Sequence, residues 1–437
     1  MSDRDRIVSD PNGRYQLTAQ PDGRFVAYDL HTGKTKVLAD FSADADPPPI
    51  PPIPPPGPLT PKLRIEGTRF ETITGEPFVY RGITAFSLLA VSSEVTIPYL
   101  DYARGAGFNV VRALSCVLND FADLAPEEGV RRLPMLLSWA QERGLYVRVV
   151  ALSDTQTFAD AGRGFDWRQH ARNVATVCAM HENAIFDFAN EPYHGTHVPE
   201  LHNMAHAQAE AAVATDGLDV LWATGASPSD EAIIPGGRYI ERHLDRGRDY
   251  LNQVRRVREL HGVQEEAGVP VLNGEPLGAH EVKTSNRTDE PWFFYAMGAL
   301  EALFGVAGTF HCEAGLRCTV PGPVTQTCAQ AYLDGKRIVP AQLQGRLIYK
   351  NNEHDGSPVA GANLEDPGSD SSNWSPIQDP NGGPIVRAYS GILGDEGWTV
   401  VLSRPEGHDG VGDLMWAWQH GPNASLFPHV QVYAVSQ

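Results

Sequence analysis

Two stretches of the chain stop in a way that invites chemistry. "IFDFANEP", residues 185–192, is an apolar run that ends on an amide, a carboxylate and a proline: Asn190, Glu191 and Pro192. "VPVLNGEP", residues 269–276, ends in the same manner on Glu275. Two carboxylates held across a gap are the minimal equipment for breaking a glycosidic bond, one giving a proton while the other attacks. The nucleophile must be ionised, so a cation is expected beside it, and "VVRAL", residues 110–114, offers Arg112. The plainer reading of either glutamate is an ion-pair partner, and Glu313 competes with Glu275 for the second role.

Those residues need elements that bring them together. Apolar runs end near residues 84, 114, 152, 190, 225, 244, 275 and 312, and helical stretches such as "VRRLPMLLSWAQERG" and "RDYLNQVRRVRELHGVQEEAG" separate several of them. Continuous apolar strands alternating with helices belong to a parallel sheet covered on both faces. Eight such units fit an α/β fold, a (β/α)8 TIM barrel over residues 62–340, with the working residues at the C-terminal ends of the strands. An open doubly wound sheet is the competing architecture, but no glycine-rich phosphate loop follows the first strand. The strand ends then supply Arg112, Ser153 and Asp154, Asn190 and Glu191, His243 and Asp245, Glu275, and His311 and Glu313. The fourth and seventh strands face each other across the mouth, which sets Glu191 against Glu275.

The "NEP" after an apolar strand, "VLNGEP" on the seventh, "YRGIT" on the first and "VVRAL" on the second resemble glycoside hydrolase clan A, the retaining barrel glycosidases such as family-five cellulases and mannanases. The resemblance covers roughly residues 62–340. It implies Glu191 as general acid/base, Glu275 as nucleophile, Asn190 on the sugar 2-hydroxyl and Arg112 orienting the nucleophile. It implies cleavage of β-glycosidic bonds in a poly- or oligosaccharide by double displacement, with no cofactor and no metal. His194, just past Glu191, is expected on the leaving-group side, and His243 and His311 beside the substrate. The chain departs from the family-five pattern in three places: Ser153-Asp154 where a histidine is common, "RHLDRG" on the sixth strand, and "FHCEAG" without a tryptophan on the eighth.

The remaining sequence divides into a small β meander at residues 1–43, a proline-rich linker at 44–61, and an antiparallel β-sandwich at 341–437. Gln20, Asp22, Val26 and Tyr28 resemble one repeat of a bulb-type mannose-binding lectin, with Arg24 in the place of an asparagine. Such lectins carry three repeats, so a β-hairpin for docking or assembly is the simpler reading. With it goes the alternative function, a non-catalytic carbohydrate-binding surface or virion protein on a glycosidase-like barrel. A net charge of −19 argues against nucleic-acid binding. No apolar run spans a membrane and no leader is visible, so the protein is expected in the cytoplasm or exported by another route. Cys312, Cys318 and Cys328 are close enough in sequence for one disulfide. His202 and His206 are four apart, but Asn203 stands where a zincin carries glutamate, so they read as solvated.

Overall fold

The computed structural model describes residues 60–227, 238–243, 250–276, 278–279, 287–288 and 291–337, and the backbone of strands in the two terminal regions. Eight parallel strands form the centre: β1 (Arg81–Thr84), β2 (Val110–Leu114), β3 (Tyr146–Leu152), β4 (Ala184–Ala189), β5 (Leu221–Ala223), β6 (Ile240–Arg242), β7 (Val271–Asn273) and β8 (Ala307–Phe310). Each pairs with the next from β1 to β5 and from β6 to β8, and β8 pairs with β1 through Gly308 beside Arg81. The ring closes between β5 and β6 by a separate two-residue piece, Ala226–Ser227, which pairs with Glu241 and Arg242. A closed ring replaces the open doubly wound sheet and agrees with the (β/α)8 expectation.

The outer helices follow from ordinary end signals. Pro126 opens the helix Pro126–Glu142, and the Asp166 side chain accepts from the Gln169 N–H at 3.0 Å to cap Trp167–Ala179. Their apolar stripes cover the outward residues of the strands, among them Val111, Val147, Phe186 and Phe188. Trp139 and Trp222 pack against this core rather than offering a sugar platform.

Inward residues occur at every second position. At the bottom of the barrel Val110, Tyr146, Ile185, Leu221 and Leu272 pack against Leu63 and Phe70 of the hairpin Leu63–Glu66/Arg69–Thr72, which plugs that end. Two residues higher, Arg112, Arg148 and Asp187 are buried with Glu241. The interior therefore passes from an apolar floor to an ionic layer just below the mouth.

All five cysteines are buried thiols, so the cluster of Cys312, Cys318 and Cys328 forms no disulfide. Strand backbone is present at Tyr15–Ala19, Arg24–Asp29 and Thr35–Asp40, and an antiparallel sheet runs through Leu347–Tyr349, Arg387–Leu393, Glu396–Ser403, Leu414–His420 and Gln431–Tyr433. The side chains of the lectin-like stretch and the packing of a C-terminal sandwich lie outside the described residues. No helix among the described residues is long and apolar enough to cross a membrane.

Gly225 is the joint that splits β5. Its φ of +110° is open to glycine, and a Cβ there would sit 1.8 Å from the Ala189 carbonyl oxygen. Gly225→Ala must therefore push β4 away just before Asn190. The variant is expected to lose about 1–3 kcal/mol in chemical denaturation. An unchanged midpoint would mean that the joint has room.

Candidate active site

Arg112 enters the site from β2 and is 1% exposed. One arm, Nη1, donates to Glu275 Oε1. The other, Nη2, donates to Asn190 Oδ1 at 2.6 Å and lies 3.4 Å from Glu241 Oε1. The guanidinium carbon stands 5.0 Å from the centre of the Phe86 ring, which screens the charge from one side. One cation thus ties the end of β4 to the end of β7. With its Oδ1 held by Arg112, the Asn190 amide has its NH2 group for other partners.

Glu191 follows β4 on a left-handed backbone, φ +49°. The Asn190 N–H donates to the Leu152 carbonyl at 2.8 Å, so the strand ladder holds up to Asn190 and the chain turns at Glu191. The turn is braced from behind: His197 Nε2 donates to the Asn190 carbonyl at 2.6 Å, while Nδ1 meets the Thr155 hydroxyl at 3.2 Å. Glu191 Oε1 receives the Tyr193 hydroxyl at 3.3 Å and faces His243 Nδ1 at 2.8 Å.

His243 links the carboxylates. Its Nε2 lies 3.1 Å from Glu241 Oε1 and 3.7 Å from Glu275 Oε1. Burial works against a charged ring, but Glu275 and the hydrogen bonds to Glu191 and Glu241 outweigh it and raise His243 to about 9. Below it, Arg148 stands 3.1 Å from both Glu241 and Asp187, and Tyr239 donates its hydroxyl to Asp187. Burial pushes both of these acids up. For Glu241 the two arginines and His243 prevail and hold it below its usual value, whereas Asp187, with Glu241 as a neighbour, stays raised.

The structure brings together five of the residues singled out from sequence: Arg112, Asn190, Glu191, His243 and Glu275. One carboxylate oxygen of each glutamate and one nitrogen of His243 all lie within 4.8 Å of one another. His194 is not in this group; it is exposed and its Nδ1 turns to the Thr196 hydroxyl at 3.1 Å. His311 sits at the end of β8 with its Nδ1 2.9 Å from the Thr84 hydroxyl. Glu313 opens the short helix Glu313–Leu316, also outside the group. Asp154 turns to the loop after β2, accepting from the Leu118 N–H at 3.2 Å and from Asn119 at 3.3 Å. Asp245 lies outside the described residues. Sequence reading missed Arg148, Asp187, Glu241, Tyr193 and His197. The signal for the first two was a lone charge inside each of "YVRVVAL" and "IFDFAN", and for Glu241 the charged pair Glu241-Arg242 inside "YIERHL".

Two carboxylates and an imidazole at this spacing could close on a divalent cation. Arg112 opposes it, because its own charge already rests on Glu275 Oε1. His202 and His206 do not converge: His202 Nε2 meets the His197 carbonyl at 3.0 Å, and His206 lies 3.5 Å from Glu210.

Burial holds His197 down to about 4, so its ring is neutral when it braces Asn190. Between pH about 6.5 and 4 the unfolded chain takes up a proton at this position that the folded chain refuses. Folding stability should therefore fall as pH drops through that window. Denaturant titrations at pH 7 and 4.5 should show a smaller fall for His197→Gln than for the wild type. Equal falls would mean that His197 titrates normally.

No protein-family model matches the chain, and no curated protein matches its sequence. Solved structures do resemble it. A glycoside hydrolase family 5 structure from Bacteroides vulgatus ATCC 8482 aligns with a TM-score of 0.51 at 12% identity, covering 86% of this chain and 90% of its own. A structure described as a glycoside hydrolase gives 0.50 at 11% identity, over 86% of this chain and 94% of its own. An endo-1,4-beta-mannanase from Rhizomucor miehei gives 0.45 at 13% identity, over 63% and 99%, and carries no weight at that score. Identities this low establish a common fold and nothing about substrate: the chain shares the (β/α)8 barrel of the first two glycoside hydrolases.

Proposed function

We propose that the chain is a retaining glycoside hydrolase that cleaves β-glycosidic bonds in a poly- or oligosaccharide. The observation that carries this reading is the short gap between the two glutamates, whose nearest oxygens lie within 4.8 Å. Retaining enzymes hold their carboxyl groups about 5–5.5 Å apart, whereas inverting ones leave room for a water at about 6.5–9.5 Å.

The division of labour follows from the surroundings. Glu275 is 4% exposed and bonded to Arg112, which favours the ionised form that a nucleophile needs. Glu191 is the more open of the two, with its side chain 23% exposed, and stands where a leaving group can reach it. Glu275 attacks the anomeric carbon as Glu191 protonates the departing oxygen. Water then adds to the glycosyl-enzyme and returns a proton to Glu191. The Asn190 amide, turned by Arg112, presents its NH2 to a hydroxyl of the bound sugar.

Release of reducing ends from polysaccharides and of phenol from aryl β-glycosides tests the reading directly. Glu191→Ala is expected to slow substrates with poor leaving groups by about 10²–10⁴-fold, while activated aryl glycosides form the intermediate and stall. Azide should rescue that stall and give the β-glycosyl azide. Glu275→Ala should stop every substrate, with azide giving the opposite anomer. Equal leaving-group dependence for both variants, without azide rescue, would overturn the roles. Binding of sugar with no cleavage by the wild type would favour a non-catalytic carbohydrate-binding protein.

A further inference from the structure

The ionic layer contains a carboxylate that the double displacement does not call for. Glu241 is 1% exposed on β6, and its Oε1 meets three cationic groups: Arg148 at 3.1 Å, Arg112 at 3.4 Å and the Nε2 of His243 at 3.1 Å. Between two guanidinium groups it is an ionised acceptor, so Nε2 must carry a hydrogen. The other ring nitrogen faces Glu191 Oε1 at 2.8 Å. We propose that Glu241 is a positioning residue for the proton donor: through its contact with Nε2 it keeps the His243 ring charged, so that Nδ1–H holds one oxygen of Glu191 throughout the reaction. The inference rests on the hydrolase reading for its catalytic meaning, but not for its chemistry.

The charges around the ring favour this arrangement. His243 faces Glu241 on its own strand, Glu191 after β4 and Glu275 after β7, at 3.1, 2.8 and 3.7 Å. The opposing charges are Arg112 on β2, engaged with Glu275 and Glu241, and Arg148 on β3, engaged with Glu241 and Asp187. Tyr193, the remaining titratable group on this side, gives its hydroxyl to Glu191. A neutral ring could instead accept a proton from Glu191 at Nδ1, which would turn the donor's proton inward and away from a substrate. A charged ring excludes that bond, and it stabilises the carboxylate left when Glu191 has given its proton away.

Glu241→Gln removes the charge with little change in shape. Asp187 lies on the other side of Arg148 at 3.1 Å and can ionise to replace the lost counterion. Asp187→Asn is the control, since it removes an acid from the same layer without touching His243. The ring is followed by NMR in the full-length, histidine-labelled protein, with the resonance assigned by its loss in His243→Gln. Glu241→Gln should lower the titration midpoint of the ring by about 1–3 pH units, and the alkaline limb of kcat/KM on an aryl β-glycoside should move down with it. Asp187→Asn should leave the midpoint within about half a unit of the wild type, less than one charge in direct contact contributes. If the glutamine variant does not fold, Glu241→Asp keeps a charge for the arginines and withdraws it from Nε2, with the same expected direction. An unchanged midpoint on altering Glu241, or an equal fall in Asp187→Asn, would overturn the proposal. A shifted ring in a protein that cleaves no glycoside would sustain the positioning and tell against the hydrolase.

Discussion

Arg112 carries a positive charge into the barrel, where removing its partners would cost roughly 3–5 kcal/mol. Its five N–H groups are fixed in a plane, so the partners must come to it. Glu275 and Asn190 do so from β7 and β4, strands on opposite sides of the ring. Glu241 approaches from β6. The guanidinium thereby ties Glu275 to Asn190, the neighbour of Glu191, and His243 completes the link by facing both carboxylates.

The charge of Arg112 is also what makes the lower ionic layer necessary. With Arg148 it places two cations inside one barrel, and Glu241 and Asp187 answer them. Side chains in this layer cannot trade places, because each bond has a direction, unlike the apolar floor of Val110, Ile185 and Leu272 beneath. The hairpin lays an apolar floor across that end of the barrel, and an apolar base strengthens every charge pair above it.

Much of this was legible in the sequence. The eight strands were readable because most are short, largely apolar runs ended by glycine, proline or a polar group. Asn190, Glu191 and Glu275 were readable because they stand at such ends. Arg148, Asp187 and Glu241 were not, because a strand buried on both faces shows no alternation. A single charge within it does not reveal which face it occupies or which charge on another strand stands level with it. His194 and His197 show the other limit. They stand three positions apart in one loop and the sequence singles out only His194, yet His194 is exposed beside Thr196 and His197 is buried under Asn190. The break in β5 was hidden too, since "LDVLWATG" reads as one strand and only the approach of the Ala189 carbonyl explains why Gly225 interrupts it.

The left-handed turn at Glu191 has a consequence for how this chain can be improved. A residue with a side chain gives up roughly 1–2 kcal/mol to adopt that backbone, and glycine gives up almost none. Position 191 is therefore one where selection for thermal robustness alone would drift toward glycine, discarding the carboxylate. On the role proposed for Glu191, screens of this protein that score only heat tolerance would enrich inert descendants, and a library meant to retain that chemistry has to hold position 191 fixed.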